Sequence, residues 1–203
     1  MIELHHLNAS RSRRITWLLE ELGVEYRVHA YRRDPTTRLA PPELAAIHPL
    51  GKAPVLRDAG RVVIESGAIV DYLIRHYGAG RFAPAPDAPD YERYVQLLHY
   101  AEGSAALPLI LKLYLGRLGE AGAPLHPRVE SEIANHVGWL QSEIAGRAFF
   151  VGDDLTGADV QLLFIAQLAE RLQGNAAFPD LMRWAAAMEA RPAYQRAIAR
   201  HGA

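Results

Sequence analysis

Cysteine is missing from all 203 positions of the chain, and that gap removes disulfides, thiolate metal sites and cysteine nucleophiles together. Any sulfur chemistry must therefore arrive on a ligand. Lysine is scarce as well: Lys52 and Lys112 stand against twenty arginines, so a lysine inside a motif carries more information than an arginine does. No run of about 18 apolar residues is present to span a bilayer, and the opening MIELHHLN lacks the charged, apolar and small-residue regions of a signal peptide. Both absences lead to the expectation of a cytoplasmic protein with no membrane partner. A formal net charge of −1 with half the residues apolar gives no electrostatic footprint for nucleic acid. Small, near-neutral partners are favoured.

Several common motifs fail on inspection. A phosphate-binding loop around Gly51-Lys52 requires Gly at 46 and Ser or Thr at 53, where the chain has Ala46 and Ala53. A nucleophile elbow at Ser66 requires Gly at 64, where the chain has Ile64. His5 and His6 are neighbours on a predicted strand, so they point to opposite faces and do not share an ion. Asp153, Asp154 and Asp159 lack the spacing and glycine of a calcium loop and read as loop and helix cap. The expectation is no metal.

Two different patterns follow one another along the chain. Residues 2–7 alternate as a strand, Asn8, Ser10 and Ser12 supply cap residues, and Ile15, Leu18, Leu19 and Leu22 line one helical face. Tyr26, Val28 and Ala30 mark a second strand, a short helical piece falls near Glu43 to Ile47, and Val55-Leu56 and Val62 to Ile64 flank the turn Asp58-Ala59-Gly60 as a hairpin. Ser66 is placed to cap a helix with Ile69, Tyr72, Leu73 and His76 on one face. Residues 1–77 thus spell βαβαββα. Residues 78–89 hold two glycines and three prolines and read as a linker. From 90 to 203 the periodicity is helical throughout, with Pro108 expected to interrupt the first long helix. Thr156 to Asp159 fits a capping box, stapled by Leu155 and Val160. The fold class is an α/β half followed by an all-α half.

Two short segments combine chemistry with geometry. In Pro49-Leu50-Gly51-Lys52-Ala53-Pro54-Val55 a cis proline in a tight turn would leave the Ala53 backbone at the sheet edge, where it pairs with an extended peptide as a strand would. At Glu65-Ser66 a strand meets a helix, so helix N–H groups and the Ser66 hydroxyl suit a carboxylate while Glu65 suits an ammonium. Each segment also reads as an ordinary turn or cap. Together they describe a clamp for a small peptide with a free amino-acid end.

With HPLGKAPV and IESGAIVDYL in that order, and the Thr156 to Asp159 box in the helical half, the chain resembles the cytosolic glutathione S-transferases over essentially its whole length. It is most similar to the fungal and bacterial branch with SRS-type first helices. The resemblance implies a thioredoxin-like domain over 1–77, a linker over 78–89, and a helical domain over 90–203 that contributes the electrophile pocket. It further implies a homodimer, with glutathione as co-substrate and a small hydrophobic electrophile as second substrate. Carried over by position, Ala53 beside Pro54 contacts the cysteinyl part of glutathione, Glu65 and Ser66 hold the γ-glutamyl end, and Lys52, assisted by Arg38, meets the glycyl carboxylate. Glu102 or Ser104 reaches the ligand of the other subunit. The pocket for the electrophile is expected around Tyr100 to Tyr114 and Tyr194.

For thiol activation the resemblance points to a serine type, with Ser10 at the matching position and Asn8 and Ser12 as alternatives. A hydroxyl at a helix N-terminus with Arg11, Arg13 and Arg14 nearby favours a thiolate. Lowering a cysteinyl thiol by about two units takes roughly 2.7 kcal/mol, the order of one charge-assisted hydrogen bond with a helix dipole. The same thiolate also suits reduction of organic hydroperoxides, and a non-catalytic binding or dimerisation module is the alternative from another class.

Overall fold

The computed structural model describes residues 1–201 and divides into two compact units, Met1–Arg81 together with the chain from Ala190 onward, and Phe82–Glu189. The first unit runs β1 (Ile2–Leu7), α1 (Ser12–Leu22), β2 (Tyr26–Tyr31), α2 (Glu43–Ile47), β3 (Val55–Asp58), β4 (Arg61–Val63) and α3 (Ser66–Tyr77), the expected βαβαββα order. Its sheet is ordered β2-β1-β3-β4, with β1 parallel to β2 and antiparallel to β3, and β4 antiparallel to β3.

Alternation along the strands divides the sheet into two chemically different faces. One face carries Leu4 and Leu56, both fully buried, and meets α1 and α3 through the Tyr26 hydroxyl on Glu20 (2.8 Å) and the Tyr72 hydroxyl on Asp58 (2.9 Å). Ile15, Leu18, Leu19, Ile69 and Leu73 fill the space between with no exposure at all. His76, expected on that stripe, is exposed, and its ring lies 4.3 Å from that of Tyr72. The other face carries Glu3, His5, Arg57, His29 and Tyr31, with His5 stacked on His29 at 4.8 Å between ring centres and 14° between planes.

The last helix, α9 (Pro192–His201), belongs to this first unit, whereas sequence reasoning places all of 90–203 in the helical domain. The cause lies in α1. Glu20 takes Arg196 at 2.9 Å and Arg200 at 2.8 Å, and Glu21 takes Arg191 at 2.6 Å and the Trp17 indole N–H at 2.9 Å. Between these ion pairs Tyr194 meets the fully buried Trp17 edge-on at 5.6 Å. Burial acts to raise the Glu20 carboxyl, yet hydrogen bonds from Arg196 and Tyr26 and the charge of Arg200 outweigh it and hold the group below its ordinary value.

The second unit contains α4 (Tyr91–Tyr100), α5 (Ala106–Leu118), α6 (His126–Ile144), α7 (Gly157–Gln173) and α8 (Pro179–Glu189). A π turn over Ala101–Ala105 joins α4 to α5, and the Ala106 N–H reaches back to the Ala101 carbonyl. Pro108 falls just after this π turn, and the widened turn accommodates its ring and missing N–H, so the helical course continues where sequence led one to expect a break.

The capping box forms as the sequence predicts. Asp159 is fully buried and accepts the N–H groups of Phe150 (3.0 Å) and Thr156 (2.9 Å) and the Thr156 hydroxyl (2.8 Å). Burial pushes its carboxyl up to about 6 against these hydrogen bonds. Changing Asp159 to Ala orphans two buried N–H groups and should lower the unfolding free energy by about 2–4 kcal/mol, checked by urea denaturation. Because the folded value exceeds the ordinary one of 3.8, this group contributes stability below the unfolded value and loses it as pH rises through 6. A carboxyl carbon resonance for Asp159 titrating near pH 4 instead of near 6 would contradict this account.

Candidate functional site

Strand polarity alone brings the predicted residues to one end of the first unit's sheet. β1 leads at its C-terminal end into Asn8 to Ser12. β3 runs the other way, so its start at Val55, paired with His5, puts the Ala53-Pro54 turn at that same end. β4 reverses again and delivers Glu65 and Ser66 there, at the start of α3.

The β1–α1 loop is closed by a ring of hydrogen bonds. The Ser10 hydroxyl lies 2.7 Å from the Leu7 carbonyl and 2.6 Å from the Ser12 hydroxyl, and it accepts the Ser12 N–H at 3.2 Å. The Ser12 hydroxyl accepts the Leu7 N–H at 3.2 Å. Ser12 is fully buried and supports the loop from beneath. Ser10, half-buried, has one proton to give and two acceptors inside the ring already competing for it.

Asn8 is held differently. Its Oδ1 accepts the Arg33 backbone N–H at 2.8 Å, and its own carbonyl accepts from Arg33 Nε at 3.2 Å. A backbone N–H can be accepted by the amide oxygen only, so the flip of the side chain is fixed and both Nδ2 protons are left for another acceptor. Ala9, with φ at 48°, turns the chain between these two residues.

The Ala53-Pro54 peptide is cis. Pro54 is buried while Lys52 is exposed, so the turn is anchored by its ring and presents the lysine outward. Arg38 is also exposed, in the loop before α2, with φ at 61°. Its carbonyl accepts from Arg33 NH1 at 3.0 Å, which ties that loop to the residue that orients Asn8.

At the third segment the structure corrects the expected cap. Glu65, not Ser66, is the N-cap of α3, and Ser66 opens the helix as its first residue. Glu65 sits at φ 65° and ψ 119°, a region that side-chain-bearing residues rarely enter and that costs about 1–3 kcal/mol. This backbone leaves the Glu65 side chain exposed above a buried Ser66. The Ser66 hydroxyl accepts from Arg14 NH1 at 3.2 Å, so a buried guanidinium on α1 backs the start of α3. From sequence Arg14 reads only as one of three positive charges near the loop. The signal for its place was its position one turn before Leu18, on the buried side of α1.

Residues predicted in the helical half lie in other settings. Glu102 and Ser104 are half-buried on the π turn. Tyr100 packs on Trp139 at 4.7 Å, with its hydroxyl 2.7 Å from His136 Nδ1. Tyr194 is buried in the first unit against Trp17. Tyr114 is 55% exposed and continues an apolar line with Leu107, Leu111 and Leu118 along one face of α5.

A thioredoxin-like α/β unit with a cis proline before its third strand, joined to a helical unit, defines the class. Residues 10–76 match the model for the glutathione S-transferase N-terminal domain, and residues 97–192 match that for the C-terminal domain. Glutathione S-transferase 3 of Schizosaccharomyces pombe is 32% identical over 95% of this chain and 85% of its own. Glutathione S-transferase 1 of Saccharomyces cerevisiae is 31% identical over 91% and 88%. The crystal structure of a glutathione S-transferase from Actinobacillus pleuropneumoniae superposes with a TM-score of 0.90 at 34% identity, covering 99% of this chain and 93% of that one. The chain belongs to the glutathione S-transferase family, a family of transferases.

The backbone of Glu65 yields a test that needs no substrate. Glu65→Gly and Glu65→Ala both remove the carboxylate, but only glycine relaxes the positive φ, so the glycine variant should be about 1–2 kcal/mol more stable than the alanine variant. Urea denaturation that ranks them equal would remove the strain from this account.

Proposed function

We propose that this protein binds glutathione at the end of the sheet where β1, β3 and α3 converge and transfers its thiolate to small hydrophobic electrophiles. The Ala53 backbone pairs with the cysteinyl segment, beyond the point where the β1–β3 ladder stops. The Ser66 hydroxyl and the first N–H groups of α3 take the γ-glutamyl carboxylate, with Arg14 adding positive charge behind them. Glu65 takes the ammonium, and Lys52, with Arg38, takes the glycyl carboxylate. In the transfer a sulfur lone pair forms the S–C bond. The leaving group departs with its bonding electrons in a displacement, while in an addition the resulting carbanion takes a proton from solvent.

The observation that carries the mechanism is the orientation of Asn8. With Oδ1 committed to the Arg33 N–H, its NH2 group is a fixed donor at the end of β1, where a bound thiolate gains most from one. Ser10, favoured by position in the family, has its proton engaged within the Leu7–Ser10–Ser12 ring. We therefore assign thiolate stabilisation to Asn8 and loop shaping to Ser10 and Ser12. The exposed apolar line Leu107, Leu111, Tyr114 and Leu118 supports a hydrophobic second substrate. A homodimer, with Glu102 or Ser104 serving the partner's ligand, and a cytoplasmic location complete the proposal; among the described residues no helix is long and apolar enough to cross a membrane.

Thiolate absorbance in the near ultraviolet, titrated against pH with glutathione bound, tests the assignment. Asn8→Ala should raise the bound thiol pKa by about one unit or more, the worth of one charge-assisted hydrogen bond, while Ser10→Ala should shift it less. The reverse order would return the role to Ser10, and no thiolate signal in the unmodified protein would refute the transferase mechanism itself.

A further inference from the structure

The polar face of the sheet holds a side-chain cluster that glutathione chemistry does not use. Glu3 and His5 are two apart on β1 and so point to the same side, and His29 is the direct parallel partner of His5 on the edge strand β2. One donor atom from each lies within 4.8 Å of the others, and the His29 Nε2 to Glu3 Oε2 distance is 3.3 Å. Two ligands on a tetrahedral zinc ion are separated by about 3.4 Å, so that pair already stands at ligand spacing.

His5 has the character of a prepared ligand. It is 2% exposed, its Nδ1 is held 2.9 Å from the Tyr31 hydroxyl, and its Nε2 is buried with no hydrogen-bond partner among the described residues. A histidine whose far nitrogen is fixed by a second group is the usual arrangement behind a metal-ligating imidazole. We propose that Glu3, His5 and His29 bind one divalent transition-metal ion of the zinc type, in a three-ligand site open to solvent.

Binding has a visible structural requirement. The two imidazoles are stacked almost parallel, and an ion cannot lie in both ring planes at once, so one ring must turn. His29 and Glu3, with side chains 31% and 36% exposed, are free to do this, whereas His5 is enclosed. The charge of Arg57, opposite Glu3 in the β1–β3 register, opposes a cation, which makes the site weaker than a closed four-ligand one. The cluster starts at Glu3, the far end of β1 from Asn8, so its occupancy and glutathione binding are separate measurements.

The test is titration of the chelator-stripped full chain with zinc chloride against a chromophoric chelator, without glutathione, which itself binds zinc. We expect one tight equivalent per chain. The surface substitutions His29→Asn and Glu3→Gln each remove a direct ligand and should weaken it by at least the roughly 10–100-fold that loss of a supporting group costs, while His136→Asn, which removes a histidine beside Glu132 in the other unit, should leave it unchanged. Equal binding by all three variants, loss with His136→Asn, or a requirement for millimolar zinc in the unmodified chain would each overturn the site.

Discussion

The antiparallel pairing of β3 with β1 is the constraint on which the rest of the site depends. With His5 opposite Val55, the chain enters β3 at the end where β1 leaves, so the cis turn at Pro54 faces the loop containing Asn8. A parallel β3 would carry the same residues to the opposite end of the sheet. A slip of one residue would exchange the two faces, sending His5 into the apolar layer and Leu4 out of it. The hairpin to β4 then repeats the reversal and brings Glu65 to the same end. Three segments far apart in sequence become neighbours through hydrogen-bond direction alone, before any side chain contributes.

Around that end the protein holds polar groups in fixed orientations at some cost. Glu65 keeps an unfavourable backbone so that its carboxylate and the Ser66 hydroxyl lie together. Arg14 is buried against Ser66 without an aqueous surrounding. The Leu7–Ser10–Ser12 ring uses two hydroxyls to satisfy one strand end. Such arrangements contribute little to stability and much to orientation. A ligand that meets them loses little further freedom of the protein on binding.

Local pattern carried much of the fold. The first seven elements appear in the predicted order, led by the apolar faces of α1 and α3, and the Thr156–Asp159 box forms because all its parts lie within four residues. What sequence left open depends on distance or on side-chain commitment. Nothing local to Glu20 and Glu21 signals the arginines 170 to 180 positions later that are brought against them. Ser10 is the family-matched donor in the letters, with Asn8 and Ser12 as alternatives, and the Arg33 N–H that orients the Asn8 amide becomes visible only in the fold. Along the chain the neighbour of His5 is His6, whereas across the sheet it faces His29, visible only once the register of β2 is known.

The return of α9 to α1 changes the order in which the molecule can be completed. During synthesis the strands and helices of the first unit leave the ribosome early, but Trp17 and the two glutamates of α1 wait for Arg191, Tyr194 and Arg196, which lie 170 and more positions further on. In the interval that face of α1 offers apolar surface and unpaired acid to whatever binds nascent chains. The emergence of α9, not the end of α3, sets the moment at which this first unit closes.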